Sequence, residues 1–341
     1  MNTLTEQNMK LISIVTPCYN EEENVELLVD RIRSIFASLP QYRYEHIFID
    51  NASADSTVAK IKALASTDPR IKLIVNSRNF GHIRSPIHAY FQAGGDAIIS
   101  LAADLQDPPE LIPEFLKKWE EGFRIVLGIK PKSLESRLMF LVRRAFYKTI
   151  SNISEIDLIQ NANGFGLYDR SIIEVMRKMD DPYPYFRGMI SEIGFKHAEI
   201  PFEQPRRIRG ITKNNFYTLY DTAILGITTH SKVPLRLATM AGFALAFMSL
   251  LVAVGYFVAK LVWWDQFTLG MAPLIISFFF FASVQLFFIG ILGEYIGSIH
   301  TQVLKRPLVI EAERVNFSDK EADSASIQEE KKPDDHHGKA T

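Results

Sequence analysis

Ser100-Leu101-Ala102-Ala103-Asp104-Leu105-Gln106-Asp107-Pro108-Pro109-Glu110 is the stretch that decides how the rest of the chain is read. It closes the apolar run Asp96-Ala97-Ile98-Ile99-Ser100-Leu101, which reads as a buried strand, and Pro108-Pro109 end that strand ahead of a helix. Between them stand Asp104, Gln106 and Asp107. A carboxylate and an amide oxygen two residues apart at a strand end are hard donors of the kind that hold a divalent cation against a phosphate. The same residues also describe a plain polar turn, so the neighbouring segments carry the decision.

Upstream, strands and helices alternate. Leu11–Pro17 reads as a first strand buried on both faces, with Cys18-Tyr19-Asn20 as its exit and an amphipathic helix over Glu21–Ala37. The run Glu21-Glu22-Glu23 suits the positive end of that helix. His46–Asp50 is a second strand ending in a carboxylate, and Asn51–Thr57 a turn leading into a helix over 58–65. Ile71–Val75 is a third strand, Asn76–Gly81 a polar loop and His82–Gln92 a helix. After the Asp96 strand come a helix over Leu111–Trp119 and a fifth strand over Arg124–Leu127. This order predicts an α/β fold, a mixed and mainly parallel Rossmann-like sheet with helices on both faces. Ligands of such sheets bind at the carboxyl ends of the strands, so Tyr19, Asp50, Asn79 and Asp104 converge on one crevice.

Beyond Lys130 the alternation stops. Ser133–Ser151 reads as a helix with an apolar and a basic face, and Asn161–Arg170, with Gly164 and Gly166, as a tight loop before a helix over Ser171–Met176. Pro205-Arg206-Arg207-Ile208-Arg209-Gly210-Ile211-Thr212-Lys213 is the densest basic cluster, suited to lipid headgroups or to a guanidinium clamp on a phosphate. An amphipathic helix is expected over 214–229. Ala238–Ala259 then runs 22 residues without a charge and Leu269–Gly293 runs 25. As helices they are roughly 33 Å and 37 Å long, against about 30 Å of hydrocarbon. Trp263 and Trp264 fall where interfacial aromatics belong, and the short connection makes the pair a hairpin. Lys232, Arg236, Lys305 and Arg306 flank it on one side, whereas its tip offers Lys260, so the positive-inside rule puts the bulk of the chain and both termini in the cytoplasm. From Glu311 onward the composition is that of a disordered tail.

Composition narrows the class. The 38 Lys+Arg against 39 Asp+Glu leave no basic field for nucleic acid. The lone Cys18 excludes an internal disulfide and fits a reducing compartment. The expected organisation is a catalytic domain over 1–212, a juxtamembrane helix over 213–232, two spans within 233–310 (about 236–262 and 269–296) and a tail over 311–341.

Taken together, Thr16-Pro17-Cys18-Tyr19-Asn20-Glu21-Glu22, Asp50-Asn51-Ala52-Ser53 and Ala103–Glu110 resemble the family 2 glycosyltransferases, and the paired spans after a basic cluster narrow the resemblance to bacterial polyprenyl-phosphate glycosyltransferases related to dolichol-phosphate mannose synthase. The resemblance covers about residues 10 to 310. It implies a GT-A fold and inverting transfer of a sugar from a nucleotide diphosphate sugar to polyprenyl (undecaprenyl) phosphate on the cytoplasmic face of the bacterial plasma membrane, supplying a lipid-linked sugar for cell-envelope glycans. It implies that Pro17, Tyr19 and Glu21 line the nucleoside pocket, with Asp50 on the base and Asn51 beside it; Asn79, placed by its strand end, joins the expected nucleotide-binding set. Asp104 and Gln106 would hold Mg2+ or Mn2+, and Arg206, Arg209 and Lys213 would grip phosphate. Ala102 stands where the family usually carries the first motif Asp, Gly164 and Gly166 where many members carry Asp and Arg, and Lys130 where an Arg is expected. A weakened metal site, or a membrane-anchored nucleotide-sugar binder without catalysis, is the competing expectation. The acceptor motif of processive polysaccharide synthases, Gln-x-x-Arg-Trp, is absent from the sequence. Two helices per subunit invite homo-oligomers.

Overall fold

A computed structural model of the chain describes residues 9–130, 159, 162–204, 231–263 and 271–317. The first unit is built on an eight-stranded sheet: β1 (Lys10–Cys18), β2 (Tyr42–Asp50), β3 (Ile71–Asn76), β4 (Ala97–Ser100), β5 (Ile125–Ile129), β6 (Ala162–Asp169), β7 (His197–Pro201) and β8 (Glu311–Val315), in the order β7-β5-β6-β4-β1-β2-β3-β8. β1 pairs in parallel with β2 and β4, β2 with β3 and β5 with β7, while β6 and β8 run antiparallel to their neighbours. The expected mixed, mainly parallel sheet is therefore present. β1, β2 and β4 lie side by side and release their chains on one edge, with β5 pointing the same way two strands beyond β4.

The helices of this unit are α1 (Val25–Ala37), α2 (Thr57–Thr67), α3 (Gly81–Gln92), α4 (Ile112–Glu120), α5 (Arg170–Met179) and α6 (Phe186–Ile193). α1 turns Val25, Leu28, Val29, Ile32 and Phe36 inward against Ile12, Ile14 and Phe48 of the sheet. Burying each such side chain contributes about 1.5–3 kcal/mol. The helix begins at Val25 instead of Glu21, because Glu21 accepts from the backbone N–H groups of Asn24 and Val25 in a turn and its own N–H is taken by Thr57 Oγ1 at 2.8 Å.

Two expectations are corrected. Residues read as a glycine loop form β6, wedged between β4 and β5. Gly166 is needed there because a Cβ would sit 2.3 Å from the Val126 carbonyl oxygen. The tail does not begin at 311: β8 pairs with the outer edge of β3. Ser77 N–H donates to Ile310 O at 2.9 Å, Lys62 pairs with Glu313 at 2.6 Å, and His88 and Arg314 both hold Glu311. The strand is polar because it is an edge strand with exposed side chains, which is why its composition resembles a tail. The sheet unit accordingly takes in residues on both sides of the apolar helices.

The second unit carries α7 (Val233–Val262) and α8 (Met271–Leu304), both long and apolar enough to cross a membrane. α7 extends past both ends of its charge-free run, while α8 starts two residues inside its run and extends eight residues past the expected end. Tyr295 donates to Ser231 O at 2.7 Å, tying the two helices. Large apolar side chains such as Phe243, Phe247, Phe278 and Leu286 are exposed, unlike those of a buried core helix of similar composition. The expected helices over 133–151 and 214–229 lie outside the described residues.

Candidate active site

The exits of β1, β2 and β4 share a local feature. Asn20, Ala52 and Leu105 each have a positive φ, at 56°, 61° and 58°, although none is glycine. A left-handed residue of this kind costs on the order of 1–2 kcal/mol, and such strain gathers where function fixes the backbone. At β4 the reversal seats Leu105 in the core, with Ala103 and Asp107 also buried, and leaves Asp104 and Gln106 half-buried between them. Asp107 accepts from Ala102 N–H at 3.4 Å and Asp104 from Gln106 N–H at 3.2 Å, closing the turn.

At β2 the Asp50 carboxylate is fully buried. It accepts from Ser53 N–H at 2.8 Å, from the Ser53 hydroxyl and from the Cys18 thiol at 3.8 Å. Burial pushes its pKa up, against the pull of the Ser53 hydrogen bonds, and burial with the nearby Asp50 charge raises the Cys18 thiol well above its ordinary value. Ser53 thus holds the Asp50 carboxylate in one orientation. The β1 exit is laced to the same turn: Asn20 N–H donates to Ser53 Oγ at 2.8 Å, Ala54 N–H to Asn20 Oδ1 at 2.8 Å, and Ser56 N–H to Glu22 Oε2 at 2.9 Å. Pro17, Tyr19 and Glu21 stand half-buried along it, with Glu21 accepting from Asn24 Nδ2 at 2.7 Å.

The Asn51 side chain is committed within the protein. Its Nδ2 donates to Asn79 Oδ1 at 2.9 Å and Gly81 O at 3.2 Å, and its Oδ1 accepts from Phe80 N–H at 2.8 Å and Asn76 Nδ2 at 3.1 Å. All four hydrogen-bonding capacities of the amide are used within the protein. Asn51 is a clamp between the β2 exit and the β3–α3 loop, and Asn79 is the loop residue it holds.

The exit of β5 brings Lys130 to the same edge of the sheet. Burial pulls its ammonium pKa down, the carboxylates of Asp107 and Asp104 oppose that, and Arg187 at the start of α6 adds to it. Lys130 and Arg187 thus join Asp104 and Asp107 in one electrostatic neighbourhood. Arg187 was not singled out from the sequence, and no local pattern marks it. Gly164, with φ 94°, is the third residue of β6, and among the described residues only the Phe186 ring lies within 4 Å of a would-be Cβ. Arg206, Arg209 and Lys213 lie outside the described residues.

Among the described residues no group of three or more His, Cys, Asp or Glu is arranged to enclose a metal. The donors present fit a cation of another kind. Mg2+ and Mn2+ in phosphoryl sites take one or two carboxylates and fill the remaining positions with substrate phosphates and water. Asp104 and Gln106, half-buried and two residues apart at the β4 exit, would supply the hard oxygens that such a site takes from the protein.

A family description, glycosyl transferase family 2, matches residues 13–177. Over 300 residues the chain is 34% identical to the bactoprenol glucosyl transferase of Shigella phage SfII, covering 88% of this chain and 96% of that one. It is 33% identical to an uncharacterised glycosyltransferase of Bacillus subtilis, covering 87% and 92%. The chain belongs to glycosyl transferase family 2. Among solved structures, a Pyrobaculum calidifontis mannosyltransferase in complex with GDP-mannose and Mn2+ aligns over 86% of this family 2 chain and 87% of that one, at 17% identity and a TM-score of 0.44.

Proposed function

We propose that the protein transfers a sugar from a nucleoside diphosphate sugar to the phosphate of a polyprenyl lipid, undecaprenyl phosphate, at the cytoplasmic face of a bacterial plasma membrane, and so supplies a lipid-linked sugar for cell-envelope glycans. The observation that carries this reading is the near full-length similarity to phage bactoprenol glucosyl transferases, in a chain whose Asp50, Asp104 and Lys130 leave the sheet on one edge. The two exposed apolar helices support a bilayer setting, with self-association through them part of the same reading.

The chemistry follows from the residues. A lipid phosphate is ionised at neutral pH, so its oxygen attacks without a strong general base. Displacement is in line at the anomeric carbon, with inversion. The demanding event is departure of the nucleoside diphosphate, whose charge grows as the bond breaks. Lys130 and Arg187, which share a neighbourhood with Asp104 and Asp107, offset that charge in this reading, and the basic residues Arg206, Arg209 and Lys213 take the remaining phosphate contacts. A divalent cation, held by Asp104 and Gln106, supplies Lewis-acid stabilisation of the leaving diphosphate when bound. Pro17, Tyr19, Glu21 and Asp50 hold the nucleoside, and the Asn51–Asn79 clamp fixes the wall beside it.

Membranes carrying the protein, given undecaprenyl phosphate and a panel of nucleotide sugars, are expected to form a glycolipid from at least one donor. Asp104→Ala should lower that rate by on the order of a hundredfold or more, equivalent to about 3 kcal/mol of barrier, in a folded, membrane-bound protein. Full turnover in the variant would remove Asp104 from the reaction.

A further inference from the structure

The β3–α3 loop and the segment after α8 meet around one aromatic ring. Phe80 is buried, and Arg78 lies over its ring with the guanidinium carbon 4.0 Å from the centroid, while Arg84 approaches the same ring at 5.3 Å. Arg84 donates from Nη2 to the carbonyl of Pro307, the residue after Arg306. Its Nε is buried with no hydrogen-bond partner. Arg78 spends one Nη1 bond on Asn79 O at 3.2 Å. Among the described residues none of these three guanidiniums forms an ion pair, although elsewhere in this unit Arg33, Arg70, Arg170, Arg177 and Arg314 all do. Burial lowers the Arg84 pKa, and the charges of Arg78 and Arg306 lower it further, as expected for cations gathered without an anion.

We propose that Arg78, Arg84 and Arg306 form a seat for the phosphate monoester of a membrane lipid. Arg306 stands two residues beyond the end of α8, so by chain continuity it is set at the level where a spanning helix reaches the headgroups. A monoester carries about 1.5 to 2 negative charges and three acceptor oxygens, which matches three guanidiniums and supplies the acceptor that Arg84 Nε lacks. A phosphodiester headgroup carries a single charge and matches less well. Asn79, whose carbonyl accepts from Arg78, is also the residue that the Asn51 clamp holds beside the β2 exit, so the seat adjoins the crevice wall. The assignment rests on the lipid-acceptor reading of the enzyme and adds a capture point for that acceptor, separate from the residues around Asp104.

The test uses the full chain in phosphatidylcholine nanodiscs, with farnesyl phosphate as the lipid monoester and UDP and GDP as donor-pocket probes. The double variant Arg84→Gln/Arg306→Gln should weaken farnesyl phosphate binding about tenfold or more, with nucleotide affinity held within about twofold and Arg84→Lys/Arg306→Lys recovering part of the loss. Because Arg306 is exposed, Arg306→Gln alone serves if the double variant fails to fold, and should show a several-fold loss. Unchanged farnesyl phosphate affinity in these variants overturns the seat. Equal competition by discs containing phosphatidylglycerol overturns its preference for a monoester. A parallel loss of nucleotide binding assigns the arginines to the donor pocket, which also overturns it. If no donor yields a glycolipid while farnesyl phosphate still binds through these arginines, the transferase reading fails and the seat stands.

Discussion

Asn51 shows how a residue's place can be legible in the sequence while its hydrogen-bonding task is not. Its position after Asp50 is legible, because an acidic strand end followed by a polar turn marks a ligand crevice in a parallel sheet. Its task is not legible, because the four groups it binds come from residues 25 to 30 positions away and only the folded chain brings them together. Asn51→Ala leaves buried partners unsatisfied and should cost about 2–4 kcal/mol, read as a lower melting temperature together with weaker nucleoside diphosphate binding. Binding unchanged in a destabilised protein would confine the clamp to folding. His46 makes a second residue-scale case. It is buried against Phe48 with Thr16 Oγ1 2.9 Å from Nε2, and burial takes its pKa down from 6.5 to about 3. The folded protein keeps it neutral where the unfolded chain protonates. Its contribution is therefore full above pH 6.5 and falls as the pH drops from 6.5 toward 3, by about 2 kcal/mol at pH 5. The melting temperature should decline between pH 6.5 and 5, and His46→Gln should flatten that decline.

Strands with ordinary side chains were easy to find and those without them were not. β1 to β5 announce themselves by apolar runs followed by turn residues, and their ends shift by only a few positions in the structure. β6 was hidden because its glycines look like loop residues, yet Gly166 is there to let β5 approach. Gly166→Ala forces the Cβ into Val126 O and should destabilise by about 1–3 kcal/mol or more, whereas Gly164→Ala meets no backbone and carries chiefly the strain of its positive φ. Comparing the two melting temperatures checks the order. The same contact explains why an Arg has no room at 166 in this chain; among the described residues, Lys130 and Arg187 are cations that share the neighbourhood of Asp104 and Asp107. β8 was hidden for the opposite reason, an edge strand whose polarity suits solvent on one side and which takes its order from β3.

For the molecule as a whole, orientation is the property that the proposed reaction most needs. Cys18 is the only cysteine and is buried, so a single introduced thiol reports topology against a silent background. Thr268→Cys, between the apolar helices, should react with a membrane-impermeant maleimide added to intact cells, and Asp30→Cys, exposed on α1, only after the membrane is opened. The reverse pattern would put the crevice on the wrong side for a cytoplasmic nucleotide sugar. The position of β8 in the chain has a further consequence for synthesis. Roughly 235 residues separate β3 from the strand that covers its edge, and at about 5–20 residues per second the ribosome needs on the order of 10–50 s to supply it. Through that interval both apolar helices emerge while the nascent sheet still shows an open flank, so in the proposed membrane setting insertion would come before the enzyme's architecture is finished, and delayed insertion would prolong the exposure of that flank to misassembly.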